Sequence, residues 1–302
     1  MSVVSNQIIP SVNYHLLQPC NMKCGFCFAT FEDVRKTILP KGSLPKIKAQ
    51  KIVHLLIEAG FTKINFAGGE PTLYPHLSDL IILASDLGAT TSIVTNGTKI
   101  SEKWLASLDG KLNWVALSID SINDTANKNI GRIFKGKSFS AQHFIDLAKT
   151  LKSMEVRLKV NTVVCSENYT EDMSEFIGTI GPERWKIFQV LPIKGQNDEQ
   201  IDRLTITNEQ FSIFLETNAK AKSYGVTVVP ETNSQMTESY VMVDPAGRFF
   251  QNSNGAYFYS EPLLDVGVNK ALAQIRINAD TFHSRDGLYD WAAHSAVIKN
   301  GT

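Results

Sequence analysis

The chain has 302 residues, 43% of them hydrophobic and 20% charged, a globular composition that argues against a disordered, fibrous or disulfide-stapled class. Thirty basic residues balance thirty acidic ones, so no net field points to nucleic acid or an anionic membrane as partner, and any anion site must be local. No stretch reaches the ~18 apolar residues of a membrane span, and the start MSVVSNQIIPSVNY has no leader pattern, so a cytoplasmic protein is expected.

The first predicted element is a strand at 12–17. Directly after it, Cys20, Cys24 and Cys27 place three of the four cysteines within eight residues. Thiolate is a soft donor, and cysteines at short spacing on one loop are typical holders of iron–sulfur clusters. CxxxCxxC supplies three ligands, which leaves one iron of a four-iron cluster for a ligand that is not protein. A structural zinc site is the plainer alternative, but it wants four protein ligands, and no second CxxC or HxxxH exists here. His15 reads as a packed or substrate-facing residue, and Cys165 as an ordinary buried thiol.

A helix pattern from Ile47 to Ile57 closes at Gly60, in the position a left-handed cap prefers. Strands then follow at 63–67, 91–95, 114–119, 157–164 and 186–191, separated by helical periods near 77–87, 139–152 and 173–180. Six strands alternating with helices predict an α/β fold, an open partial (β/α)6 barrel. Polar motifs sit on or just after the strands: Gly68, Gly69 and Glu70 before Pro71, Asn96 between Thr95 and Gly97, Ser118 before Ile119 and Asp120, and Asn161 inside the fifth strand. In parallel barrels the C-terminal strand ends carry the active site, so these motifs are expected to converge on one mouth. After a helical stretch at 208–224 the period shortens, with strands at 226–229 and 240–243 and a turn at 244–249. Residues 1–224 thus read as the barrel core, and 225–302 as an extension that packs beside it and closes the substrate site.

The cysteine loop, with Phe26 before its last cysteine and GGEP one strand later, resembles the radical S-adenosylmethionine superfamily. The flanks narrow the likeness: SVNYH at 11–15, CNMKCGFCF at 20–28, KINFAGGEP at 63–71, IGR at 130–132, RWKIFQ at 184–189, PETN at 230–233 and LDVG at 264–267 are similar to the viperin family. That resemblance implies a [4Fe-4S] cluster on Cys20, Cys24 and Cys27, and S-adenosyl-L-methionine chelated to its open iron. Phe26, Gly68, Gly69, Glu70, Asn96, Ser118 and Asn161 would line the cofactor. It further implies a lyase in which a 5′-deoxyadenosyl radical takes H4′ from a ribonucleoside triphosphate, CTP, UTP or GTP. The 3′-hydroxyl then leaves as water with one added electron, giving the 3′-deoxy-3′,4′-didehydro analogue, a product of antiviral defence. An external one-electron donor is a necessary partner.

A triphosphate needs fixed cations, and Arg132, Lys159, Arg184 and Lys186 match the family's phosphate positions. Lys159 alternates with apolar neighbours and shares one strand face with Asn161, as Arg184 does with Lys186. Asn13, Lys63 and Tyr240 match positions near the sugar or base, Tyr240 as proton donor to the departing hydroxyl, and Arg285 is expected to close over the phosphates. Each cation alone could equally be a solvated surface charge, and Tyr240 a half-buried strand tyrosine. Departures from the animal members are an N-terminus without the amphipathic membrane helix, a longer polar segment after the cluster loop, and Ala67 in place of a serine; they suggest a microbial member. The rivals are another radical enzyme acting on a nucleotide, such as a GTP cyclase, which needs a second cysteine triad and a terminal GlyGly, and a metal-stabilised binding protein without turnover.

Overall fold

The computed structural model describes residues 9–292. Seven parallel strands, β1 (Ser11–His15), β2 (Lys63–Ala67), β3 (Thr90–Thr95), β4 (Trp114–Ser118), β5 (Arg157–Val164), β6 (Arg184–Gln189) and β7 (Thr227–Glu231), lie side by side in chain order. Helices follow each of the first six, which is the expected partial (β/α)6 barrel. The strand expected at 226–229 is β7, paired in parallel with β6. At the other edge β8 (Met242–Val243) pairs in parallel with β1, and β9 (Arg248–Gln251) and β10 (Phe258–Pro262) continue the sheet antiparallel. Asp244 makes the turn between β8 and β9, its carboxylate accepting the Ala246 and Arg248 amides at 2.9 Å each.

Alternation along the strands divides the sheet into two chemically different faces. Val12, Tyr14, Ile64, Phe66, Val115, Leu117, Val160, Trp185 and Ile187 are buried in the main apolar core or beside it, with the helix residues Ile52, Val53, Leu56 and Leu80. The opposite set, Asn13, Lys63, Asn65, Ser118, Lys159, Asn161, Arg184 and Lys186, lines an interior cavity. Several strand boundaries differ from expectation by one or two residues, and two of them have a local reason. The first strand stops at His15 because Leu17 turns aside to bridge Ser43 and to accept the Gly69 amide at 2.7 Å. The sixth starts two residues early, at Arg184, since Arg184 and Lys186 occupy inner-face positions where a polar side chain does not break a strand. Among the described residues no helix is long and apolar enough to cross a membrane.

Candidate active site

Cys20, Cys24 and Cys27 stand on the loop after β1 and border one cavity of about 310 Å³. None is in a disulfide. Burial pushes the Cys20 thiol up to about 11 and the Cys24 thiol up to about 12, while the nearby Arg132 guanidinium acts in the opposite sense on all three. Three thiolates in this place therefore want a cationic partner beyond Arg132, and a metal cluster supplies one. Three free thiols on one loop suit three corners of a four-iron cluster, whereas a structural zinc site wants four protein ligands.

The neighbouring loops are fitted to the cysteine loop by close backbone contact. A Cβ on Gly68 would lie 2.8 Å from the Leu17 carbonyl oxygen, and one on Gly69 would overlap the carbonyls of Gln18 and Pro19. The Glu70 amide donates to the Pro19 carbonyl at 3.1 Å. Gly131, at φ 87°, is likewise pressed on the Lys23 carbonyl, and Gly25 donates its amide to Ile130 at 2.7 Å. Gly69→Ala is thus expected to separate two backbones that no rotamer change can relieve, with loss of most bound iron from the reconstituted protein, measured by iron assay and visible absorbance. Retention of full iron content would show that the contact is dispensable.

Glu70 is buried and fully engaged: its carboxylate accepts the Thr72 amide at 3.1 Å, the Thr72 and Thr95 hydroxyls at 2.6 Å and the Asn96 amide at 2.8 Å. It ties the ends of β2 and β3 together beneath the cysteine loop. Asn96 reaches that loop directly, donating to the Asn21 side chain at 2.8 Å. Asn161, in register with Ser118 on β4 and Lys186 on β6, has a buried amide oxygen without a partner among the described residues.

Below this row the cavity turns cationic. Lys159 pairs in register with Arg184 one pleat nearer the strand starts, and Lys63 is the first residue of β2. These groups therefore lie toward the N-terminal strand ends, away from the mouth where the sequence motifs converge. Each two-residue step along a strand is about 7 Å, so the polar lining runs lengthwise through the barrel. Lys63 and Lys159 are only 1% and 6% exposed, and neither they nor Arg184 pairs with a carboxylate among the described residues. Aromatic rings serve them instead. Lys63, Lys159 and Arg184 all lie over Tyr289 at 4.2–4.5 Å, and both lysines over Trp114. Burial, with repulsion from Lys186 and Arg184, pulls the Lys63 ammonium down to about 7, and burial with repulsion from Lys63 lowers Lys159 well below its ordinary value.

The remaining cations surround one acid. Glu231, fully buried on β7, accepts hydrogen bonds from Lys186, from the Tyr240 hydroxyl and from Arg285, the last at 3.2 Å. Lys186 donates to the Tyr240 oxygen at 2.8 Å, and Arg285 packs on the Tyr240 ring at 3.7 Å while donating to Ser239. Despite its burial, these cations hold the Glu231 carboxyl below its usual range, while desolvation raises Tyr240 and brings Lys186 down to about 8.

The structure thus brings Lys63, Lys159, Arg184, Lys186, Tyr240 and Arg285 into one neighbourhood, with Asn13 bonded to Asn65 on the same face. Arg132 differs in its contacts: it pairs with buried Asp120 and lies 5.9 Å from the Phe26 ring, beside the cysteines. His15 is buried in edge contact with Phe28, Phe31 and Phe250. Sequence reasoning passed over Glu231, Tyr289, Trp114 and Asp120. Glu231 and Asp120 lay inside motifs named above, and a lone acid there carries no signal until its donors are seen.

Residues 16–180 match the model of the Radical SAM superfamily, more than half of the chain. The fold agrees with the solved structure of native anSMEcpe with bound AdoMet and Kp18Cys peptide, at a TM-score of 0.66 over 91% of this chain and 82% of that one, with 16% identity. The barrel and its thiol loop are those of a radical S-adenosylmethionine enzyme, whose cofactors are a [4Fe-4S] cluster and S-adenosylmethionine. An S-adenosylmethionine-dependent nucleotide dehydratase of Flammeovirga pacifica is 50% identical over 96% of this chain and 98% of its own. The enzyme of that description named RSAD2 from Oncorhynchus mykiss is 36% identical over 93% and 80%. The chain belongs to the family of S-adenosylmethionine-dependent nucleotide dehydratases.

Proposed function

We propose that this enzyme dehydrates a ribonucleoside triphosphate, CTP, UTP or GTP, to its 3′-deoxy-3′,4′-didehydro analogue, and that it does so in antiviral defence in the cytoplasm. The observation that carries the triphosphate is the trio Lys63, Lys159 and Arg184, buried without a counter-ion among the described residues, below the row of Ser118 and Asn161. A fold does not hold unpaired buried cations without cost, and a bound polyanion offsets that cost. The lengthwise order of the lining supports a nucleotide lying along the barrel, sugar toward the cysteine loop and phosphates toward Lys63.

Cys20, Cys24 and Cys27 would hold the cluster, whose chemistry with S-adenosylmethionine, when bound, removes H4′ from the sugar. Around that pair, Phe26, Gly68, Gly69, Asn96, Ser118 and the open amide oxygen of Asn161 line the cofactor, and Arg132 is reassigned to this side on its contacts with Asp120 and the cysteines. Glu70 acts through position, fixing the strand ends. Tyr240 is kept protonated and is backed by Lys186, so a proton it gives to the leaving hydroxyl is replaced from the ammonium. Residues from 225 onward contribute Glu231, Tyr240, Arg285 and Tyr289, and so close the site.

The test is anaerobic incubation of reconstituted protein with S-adenosylmethionine, dithionite and each triphosphate, the substrate deuterated at C4′. Deuterium in 5′-deoxyadenosine and a label-free product lighter than unlabelled triphosphate by one water are expected; no stimulation by any triphosphate overturns the reading.

Affinity for the triphosphate is also expected to depend on pH. Burial pulls the Lys63 ammonium down to about 7 in the ligand-free protein, and a bound polyanion would hold its proton, so binding is expected to take one up. The dissociation constant should therefore rise from pH 6.5 to 8.5, by calorimetry in the absence of S-adenosylmethionine. A flat profile would show that Lys63 stays charged without ligand.

A further inference from the structure

We propose that Asn252 reads the nucleobase of the triphosphate and selects a keto base, uracil or guanine, over cytosine or adenine, which carry an amino group at the same edge. β7 is one edge of the sheet and the β8–β10 ribbon ends at the other, and the space between them is closed from two directions. The short helix Asn233–Met236 follows β7, and its Asn233 amide donates to the Gln189 side chain at 3.2 Å. The turn Ser253–Gly255 follows β9, and its Gly255 carbonyl accepts the Lys194 amide at 2.8 Å. Phe188, Leu191, Met236, Met242 and Tyr257 border the cavity on this side, a lobe with the apolar and aromatic walls that suit a flat base.

Two polar side chains of this lobe are already engaged. Gln189 donates to Asn208 at 3.1 Å and accepts the Asn233 amide, and the Tyr257 hydroxyl donates to the Phe28 carbonyl at 2.8 Å. Asn252 differs. It borders the same cavity and is only 4% exposed. Its Oδ1 accepts the Glu238 amide at 3.1 Å, which fixes the orientation of the side-chain amide. The Nδ2 end is left over, and among the described residues it donates to no protein group. A nearly buried N–H without an acceptor costs free energy; a ligand carbonyl relieves that cost, and a ligand amino group facing it does not.

The sheet places this amide at the far end of the base. Met242 on β8 is in register with Asn13 on β1 and with Phe250 on β9, and Asn252 keeps the face of Phe250 two residues on. Asn252 therefore stands two strands from Asn13, roughly 10 Å away. With the sugar at Asn13 and Tyr240, the base extends away from β1, and the group it presents to Asn252 is the one remote from the glycosidic bond. In uracil and guanine that group is a carbonyl; in cytosine and adenine it is an amine. This selection rests on the triphosphate reading above and narrows the base that reading leaves open.

The test is calorimetric titration of the reconstituted holoenzyme with four triphosphates paired by size, UTP against CTP and GTP against ATP. In wild type the keto member of each pair should bind about tenfold or more tightly than the amino member. In Asn252→Asp the carboxylate still accepts the Glu238 amide and now also accepts an exocyclic amine, so each ratio should move about tenfold or more toward the amino member. The added charge weakens all four triphosphates alike, which is why the ratio is read. Asn252→Ser removes the donor without adding charge and should bring each pair to within about threefold. Iron content and unfolding midpoint, measured on both variants, separate a selectivity change from a folding defect. Equal binding within both pairs by wild type, or ratios that neither variant moves, overturns the proposal. Failure of all four triphosphates to bind would instead strike the functional reading.

Discussion

Replacing Lys159 with methionine is expected to make the ligand-free protein more stable and the enzyme much worse at holding nucleotide. The side chain is almost wholly buried, has Lys63 as its immediate neighbour and lacks a counter-ion among the described residues. Its ammonium is lowered by burial first and by Lys63 second, so its folded pKa lies below its unfolded one. By linkage such a group costs stability at neutral pH, and the cost is relieved as pH rises toward the unfolded value. An apolar side chain of similar length removes that cost, and thermal unfolding should shift upward by a few degrees. On the proposed function the same change deletes a charge-assisted contact to a phosphate, worth about 1.5–3 kcal/mol, and triphosphate should bind about 10–100-fold more weakly. The signature is the opposite sign of the two effects. A variant less stable than wild type would show that the fold itself relies on Lys159, and the argument for a polyanion site from its burial would fail.

Glu231→Gln should do the reverse. This carboxylate is the common acceptor for Lys186, Arg285 and the Tyr240 hydroxyl, and removing its charge leaves two cations buried together. Breaking a buried ion pair from one side costs about 3–5 kcal/mol, which for a chain of this size lowers the unfolding midpoint by roughly 5–8 °C. Because its folded pKa is depressed, the carboxylate stabilises above the ordinary glutamate range, and that contribution disappears as pH falls below it. The difference between wild type and variant should therefore shrink in acid. Added triphosphate should recover part of the lost stability, since it returns negative charge to the same cations; calorimetric scans with and without nucleotide read both effects. An unchanged midpoint at pH 7 would mean that Lys186 and Arg285 have other partners.

The chemistry at the cysteine end was legible in the sequence because it depends on local spacing. Three cysteines within eight residues, a glycine pair after a strand and apolar runs alternating with helical periods are patterns of neighbours in the chain, and they gave the thiol loop, the strand order and the barrel. The cationic end of the cavity was legible only in part. Lys159, Arg184 and Lys186 show a face alternation that a strand imposes, but a lysine among apolar residues looks the same whether it meets solvent or a cavity. Burial decides between them, and burial comes from strands far apart in the chain: Lys63 on β2 meets Tyr289 at a separation of 226 residues. Arg132 shares a charge type with Lys159 and Arg184, but its partner is Asp120, beside the cysteines, a contact that no local pattern shows. Glu231 gained its role by closing a sheet edge beside Lys186 and receiving Tyr240 and Arg285 from later in the chain. Sequence alone thus determined which groups and which cofactor chemistry the protein carries. The tertiary structure decided which cations are left without counter-ions, because a charge's partners are set by what the fold brings within a few ångströms.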